Sequence, residues 1–220
     1  MTYTGDVRVG GPSDTRELDG LTVTKIAVGP MDNNAYLLRC TSTGQAILID
    51  AANEAGRLIE MIGEVPVGVI VTTHRHSDHW QALPELQKHT GAEVAAHPAD
   101  ADLLPVSVTR RVEHGEVLQF GDAAVSFIHL RGHTPGSVAV LYDAGGRLAG
   151  GPHVFTGDSL FPGGVGKTGS PADFTSLLTD VTDRLFSPLP DPTWVYPGHG
   201  KDTTLGTERP HLGEWRARGW

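Results

Sequence analysis

The segment Thr73 to His79 reads Thr-His-Arg-His-Ser-Asp-His, and four of its seven residues, His74, His76, Asp78 and His79, carry metal-ligating side chains. In extended backbone, side chains repeat every two residues, so His74 and His76 point the same way and both imidazoles reach one ion. Asp78 and His79 lie past a bend near a helix start, where the chain presents them to a neighbouring point. The spacing suggests two ions. A lone His-x-His pair is ordinarily a polar turn, and the added Asp-His argues against that reading. Three further candidates follow strands: His133 in Arg131-Gly132-His133-Thr134-Pro135-Gly136, Asp158 in Phe155-Thr156-Gly157-Asp158-Ser159, and His199 in Pro197-Gly198-His199-Gly200. The adjacent glycines let backbone approach closely at a strand end. Singly, each is what a solvated turn residue looks like. Together, five histidines and two aspartates offer nitrogen and oxygen ligands, and no sulfur, to two borderline-to-hard divalent ions.

These residues need a scaffold of strand ends. Leu21 to Val28 alternates apolar and polar, Tyr36 to Arg39 follows an Asp32-Asn33-Asn34 turn, and Ala46 to Ile49 follows Gly44, which together read as a meander. A helix is expected from Asn53, as its N-cap, to Ile62, with Gly63 as its stop. Val67 to Thr72 is apolar and β-branched, as a strand covered on both faces would be, and it runs straight into the histidine cluster. A helix from about Gln81 to Gly91 follows, then strand Glu93 to Ala96 and a short helical piece from Pro98. The second half predicts strands at Val117 to Phe120, Ala124 to Leu130, Ser137 to Tyr142, Val154 to Thr156 and Thr193 to Tyr196. Between the last two, Ser170-Pro171-Ala172-Asp173 caps a helix whose apolar face is Phe174, Leu177, Leu178, Val181 and Leu185. The pattern is α/β in a single domain, residues 21–220, preceded by a loose leader, residues 1–20.

Composition narrows the function. Seventeen basic against 26 acidic residues, a net charge of −9, argue against a nucleic-acid partner. No apolar run approaches the roughly 20 residues of a membrane span, and the first 20 residues have no apolar core for a signal sequence. A cytoplasmic protein with no membrane partner is the expectation. Cys40, the one cysteine, sits in a strand-like run and reads as a buried structural thiol. His89, His97, His114, His129, His153 and His211 lack partner motifs and read as surface or structural; His129, four residues before His133, is the nearest to a supporting role. Trp80 reads as core or pocket wall, Trp194 as core, and Trp215 and Trp220 as a docked or frayed tail.

From about Leu21 to His199 the chain resembles the metallo-β-lactamase superfamily, on the His-x-His-x-Asp-His signature and the downstream Gly-His-Thr, Thr-Gly-Asp and Pro-Gly-His-Gly segments. That resemblance implies a four-layer αββα sandwich with the site at the edge between its sheets. It implies His74, His76 and His133 as ligands of a first ion, Asp78, His79 and His199 of a second, and Asp158 as the bridge. Asp50 becomes a loop-orienting group rather than a ligand. Zinc is the expected metal, with iron or manganese as alternatives. A water bridging two such cations loses its proton near neutral pH and becomes the nucleophile, with Asp78 orienting it or taking up its proton.

Within the superfamily the likeness is to glyoxalase II and shorter glyoxalase II-like hydrolases, on Met31 to Leu38, on Phe155 to Phe161 with Gly163-Gly164-Val165-Gly166-Lys167, and on Pro197 to Gly200 with Thr203-Thr204. It implies hydrolysis of a small acyl-thiol, with Lys167 contacting substrate. With 21 residues after His199, the C-terminal helical domain of full-length glyoxalase II is expected to be absent, which leaves the thiol carrier open. Trp80 and Gln81 also depart from the glycine common after the motif. A mononuclear-iron persulfide dioxygenase, a lactonase and a non-catalytic metal-binding scaffold stand as alternatives.

Overall fold

The computed structural model describes residues 3–146 and 150–219, so Trp220 lies outside the described residues. Seven strands form the first sheet in chain order: β1 (Asp14–Leu18), β2 (Leu21–Val28), β3 (Asn33–Cys40), β4 (Ala46–Ile49), β5 (Val67–Val71), β6 (Glu93–Ala96) and β7 (Arg110–Arg111). The pairs from β1 to β4 are antiparallel, and those from β4 to β7 are parallel. The second sheet draws on β8 (Val117–Phe120), β9 (Ala123–His129), β10 (Val138–Tyr142) and β11 (His153–Gly157). After a small ribbon of β12 (Leu160–Phe161) and β13 (Gly164–Val165), it is completed by β14 (Trp194–Pro197) and β15 (Thr203–Thr204). Its order is β15-β14-β11-β10-β9-β8, with β11 and β14 parallel.

Three apolar cores separate four layers. Between the sheets lie Val23, Leu38, Ile47, Val71, Phe127, Val140, Phe155 and Tyr196. Outside the first sheet, α1 (Ala55–Ile62) and α2 (Leu83–Thr90) pack Leu58, Ile62, Leu83 and Leu86 against Ile26, Leu48 and Ile70. Outside the second, α4 (Pro171–Val181) and α6 (Leu212–Arg218) pack Leu177, Val181 and Trp215 against Ile128, Val154 and Val195. Short helices α3 (Pro98–Ala101) and α5 (Leu205–Glu208) complete the set. The architecture is the expected αββα sandwich in one domain. Strands β4 and β5 read as unbroken apolar runs because both their faces are covered. No helix among the described residues is long and apolar enough to cross a membrane.

Two expectations are corrected. Residues 14–18, read as part of a loose leader, are edge strand β1, paired with β2 from Leu18–Leu21 to Asp14–Lys25. Its residues are polar because an edge strand buries little, but Asp19-Gly20, with Gly20 at φ +78°, is a hairpin turn signal that the leader reading passed over. Tyr3 ties the segment down further, donating from its hydroxyl to Asp202 Oδ2 at 2.6 Å. Helix α1 starts one residue late, with its N-cap at Glu54 rather than Asn53. Glu54, in left-handed conformation (φ +47°), precedes it, and Asn53 Oδ1 accepts only the Glu54 N–H at 2.7 Å, so Asn53 does not cap the helix. The Ser170 cap is as read: its hydroxyl accepts the Asp173 N–H at 3.2 Å.

Candidate metal centre

Every predicted ligand sits just beyond a strand end on one rim of the sandwich. His74 follows β5, Asp158 follows β11, His199 follows β14, and His133 lies on the loop from β9 to β10. The rim is knitted across the two sheets, with the Val138 N–H on the Thr73 carbonyl at 2.9 Å and the Asn34 N–H on the Gly198 carbonyl at 2.7 Å. Close approach is built in at Gly198, where a Cβ would stand 2.2 Å from Asp158 Oδ1.

All seven predicted ligands come together. His76 Nδ1 and His74 Nε2 lie 2.9 and 3.2 Å from His133 Nε2. On the other side, His79 Nε2 is 3.2 Å from His199 Nε2, and Asp78 Oδ2 is 3.4 and 3.3 Å from those two nitrogens. Asp158 lies between the groups: Oδ2 is 3.6 Å from His133 Nε2 and 3.4 Å from His199 Nε2, while Oδ1 is 3.3 Å from His79 Nε2.

The imidazole tautomers follow from their outer partners. His79 Nδ1 donates to Asp50 Oδ2 at 2.8 Å, His133 Nδ1 to the Lys167 carbonyl at 2.6 Å, and His199 Nδ1 to the Met31 carbonyl at 2.8 Å. These acceptors have no proton to give, so each ring, when neutral, turns an Nε2 lone pair inward. Thr73 spends its hydroxyl proton on Asp50 Oδ2 at 2.8 Å and therefore accepts from His74 Nδ1 at 3.1 Å, which frees His74 Nε2 in the same way. In the metal-free protein, against its burial, Asp50 and Asp158 raise the pKa of His79 to about 10 and keep that ring protonated.

This donor set fits divalent ions. Two ligands each about 2.1 Å from one ion stand roughly 3.0 to 3.4 Å apart at right or tetrahedral angles, the spacing seen here. Asp158 Oδ1 is buried and makes no hydrogen bond among the described residues, as expected of an atom reserved for a cation. Burial alone would raise the Asp158 carboxyl pKa, but His199 and His79 hold it far below the usual carboxylate range. Burial keeps His74 neutral, assisted by His79 beside it. Asp78 is likewise held ionised against its burial by the Asn33 amide, 2.9 Å from Oδ2, and by His79.

The flanks differ. A cleft of about 720 Å³ beside His76 and His133 is lined by Arg75, Arg131 and Lys167. The Arg131 guanidinium is already paired with Asp180 at 2.7 Å, while the Lys167 side chain is exposed. On the other flank stand Met31, 60% exposed, and Phe161, whose ring centroid is 6.3 Å from that of His199. Asp50 orients rather than reaches the centre, with Oδ1 accepting the Thr73 N–H at 2.8 Å.

Sequence reading missed Asp100. Its buried carboxylate accepts from the Arg75 and Gly136 N–H groups and the Thr134 hydroxyl, yet its sequence context, Pro-Ala-Asp-Ala, looks like any short helix. The remaining histidines are structural or superficial. His153 is buried with Nδ1 2.9 Å from the Tyr196 hydroxyl, and His129 stacks on His97 while donating to the Pro135 carbonyl at 2.8 Å. Cys40 and Trp215 are buried, and Trp80 is a half-buried wall that donates to the Arg75 carbonyl.

Hydroxyacylglutathione hydrolase GloC of Haemophilus influenzae is 31% identical over 185 residues, covering 74% of this chain and 84% of that protein. The crystal structure of TTHA1623 in a di-iron-bound form is 34% identical, with a TM-score of 0.70 over 84% of this chain and 96% of that one. ETHE1 from Myxococcus xanthus is 27% identical, with a TM-score of 0.74 over 89% and 84%. The pattern of the metallo-beta-lactamase superfamily matches residues 28–199, from the end of β2 to the last predicted ligand, and the chain belongs to that superfamily.

Proposed function

We propose that the protein is a dinuclear metal-dependent hydrolase of small acyl-thiols, glyoxalase II-like and cytoplasmic. His74, His76 and His133 would hold one ion and Asp78, His79 and His199 the other, with Asp158 available to both. The observation that carries this reading is the Asp158 carboxylate, which faces nitrogens of both groups within 3.6 Å. Likeness to a hydroxyacylglutathione hydrolase supports the thioester, and likeness to a di-iron protein sets iron beside zinc and manganese as the resident metal.

When bound, two such ions supply an activated water and polarise the carbonyl under attack. The side chains around them do the rest. Asp78, held ionised with Oδ2 on the Asn33 amide, orients the attacking water and takes up its proton. Asp50 and the Met31 carbonyl take the Nδ1–H of His79 and His199, so the Nε2 of each ring would be spent on the ion and Asp78 is left to take up that proton. No serine or cysteine nucleophile is needed. Lys167, with Arg75, gives the cleft an electropositive wall for an anionic thiol carrier, while Met31 and Phe161 offer an apolar wall to the acyl end.

Thiol release from S-lactoylglutathione by metal-replete protein, set against a neutral thioester and an acyl-homoserine lactone, tests the reading. Thioester turnover abolished by chelation and restored by zinc, iron or manganese is expected. Turnover of the lactone alone, or of nothing, contradicts it. His74, His133 and Asp158 also form a two-histidine, one-carboxylate set, the observation that favours a mononuclear-iron dioxygenase as a second reading. Oxygen uptake with a glutathione persulfide would single it out.

A further inference from the structure

We infer that Asp100 is a positioning residue for the first group of donors: it holds His74, His76 and His133 in register across the gap between two loops and so sets whether that group keeps its ion. The inference rests on reading those three histidines as one ion's ligands. They come from separate segments, His74 and His76 from the turn after β5 and His133 from the loop between β9 and β10. Asp100, on α3 after β6, belongs to neither.

Its side chain, 1% exposed, reaches both. Oδ2 accepts the Arg75 N–H at 3.0 Å and the Thr134 hydroxyl at 2.5 Å, and Oδ1 accepts the Gly136 N–H at 3.0 Å. Arg75 is the residue between His74 and His76, and Thr134 directly follows His133. One carboxylate therefore fixes the backbone on which all three imidazoles hang. The fit leaves no slack, because a Cβ at Gly136 would stand 2.7 Å from Asp100 Cγ. The Arg75 peptide is pinned at its other end as well, its carbonyl accepting from Trp80 Nε1 at 2.8 Å.

Chemistry explains why the residue is an aspartate. Packing alone would be served by an apolar side chain, since a buried carboxylate is costly unless donors surround it. This one meets three hydrogen-bond donors, and the Arg75 Nε stands 3.9 Å from Oδ1, all on the two ligand loops and none on its own helix. Asp50 does the same on the other side of the motif, taking Thr73 N–H, Thr73 hydroxyl and His79 Nδ1. The run His74-Arg75-His76 is thus clamped between two buried carboxylates, and ligand geometry depends on such outer partners.

Titration of the metal-free full chain with cobalt(II), followed by visible absorption, tests this. Wild type is expected to take two equivalents. Asp100→Asn keeps the size but turns an amide NH₂ toward one of the N–H donors, and should weaken one equivalent by about 10- to 100-fold while sparing the other. The weakened equivalent should be the one whose spectrum is missing in His133→Ala. Thr134→Val removes a single donor and should weaken the same equivalent less, which keeps the test alive if Asp100→Asn does not fold. Wild-type affinity for both equivalents in the folded variants overturns the inference. So does equal weakening of both equivalents in step with a lowered unfolding midpoint, which would make Asp100 a residue of the fold alone. A wild type that takes one equivalent contradicts the dinuclear reading by itself. The Asp100 inference then stands if His133→Ala and Asp100→Asn both weaken that equivalent, and falls if they leave it unchanged.

Discussion

The two halves of the centre are held by different means. His79, fully buried, donates to Asp50, itself 2% exposed at the end of β4, so this half is anchored by a carboxylate–imidazole pair inside the sandwich. In the other half His76 is exposed, and His133 is oriented by a main-chain carbonyl on the loop that carries Lys167. Only His74 shares the deep anchor, through Thr73. The deep half is set by the fold itself. The outer half depends on loop against loop, and it is the half that faces the basic cleft, so substrate binding and ligand geometry meet there.

Removing the deep half's chemistry should give the largest loss. Asp78→Asn is expected to lower kcat on a thioester by about 10²- to 10⁴-fold with little change in KM. Unchanged turnover with weakened metal binding would make Asp78 a ligand only. Next comes the anchor. Asp50→Ala strands the buried His79 imidazole and should destabilise the metal-free protein by about 3–5 kcal/mol in urea unfolding, the usual effect of breaking a buried pair. A change within error of zero would erase the contrast between the halves.

Smaller effects sharpen the outer half. Lys167→Ala should raise KM for S-lactoylglutathione severalfold and leave a neutral thioester unaffected, and the difference should shrink as salt is added. Equal KM values at low and high salt in both proteins would remove Lys167 from recognition. The smallest effect lies outside both halves. Burial, aided by Arg16, lowers the pKa of His153 to about 4, against about 6.5 in an unfolded chain. Between those values the unfolded state binds the extra proton, so stability falls as pH drops from about 6.5 toward about 4. His153→Phe should flatten that part of the acid-side loss when wild type and variant are compared metal-free. Parallel stability curves would show that His153 contributes nothing to it.

Much of this was legible because the ligands are local signals. His74, His76, Asp78 and His79 lie within six residues, and the apolar run of β5 announces the strand end that presents them. The convergence of His133, Asp158 and His199 came from resemblance, since nothing in a turn of glycine and histidine says which sheet edge it will meet. Asp100 was invisible for a related reason: its partners are two backbone N–H groups and a threonine hydroxyl, which leave no mark on residue types. β1 was hidden by its polarity, as an edge strand with a single Leu gives no alternating apolar signal, although Asp19-Gly20 marked its turn. The late start of α1 turned on Glu54, whose left-handed backbone is set by tertiary contacts, its Oε2 taking the Gly29 N–H at 2.8 Å.

The central claim is that Asp158 joins two groups of donors into one dinuclear centre. Elemental analysis of protein grown with both zinc and iron available, for wild type and His199→Ala side by side, tests it most directly. The account predicts close to two ions per chain in wild type and close to one in the variant. A single iron per chain in both proteins would contradict it.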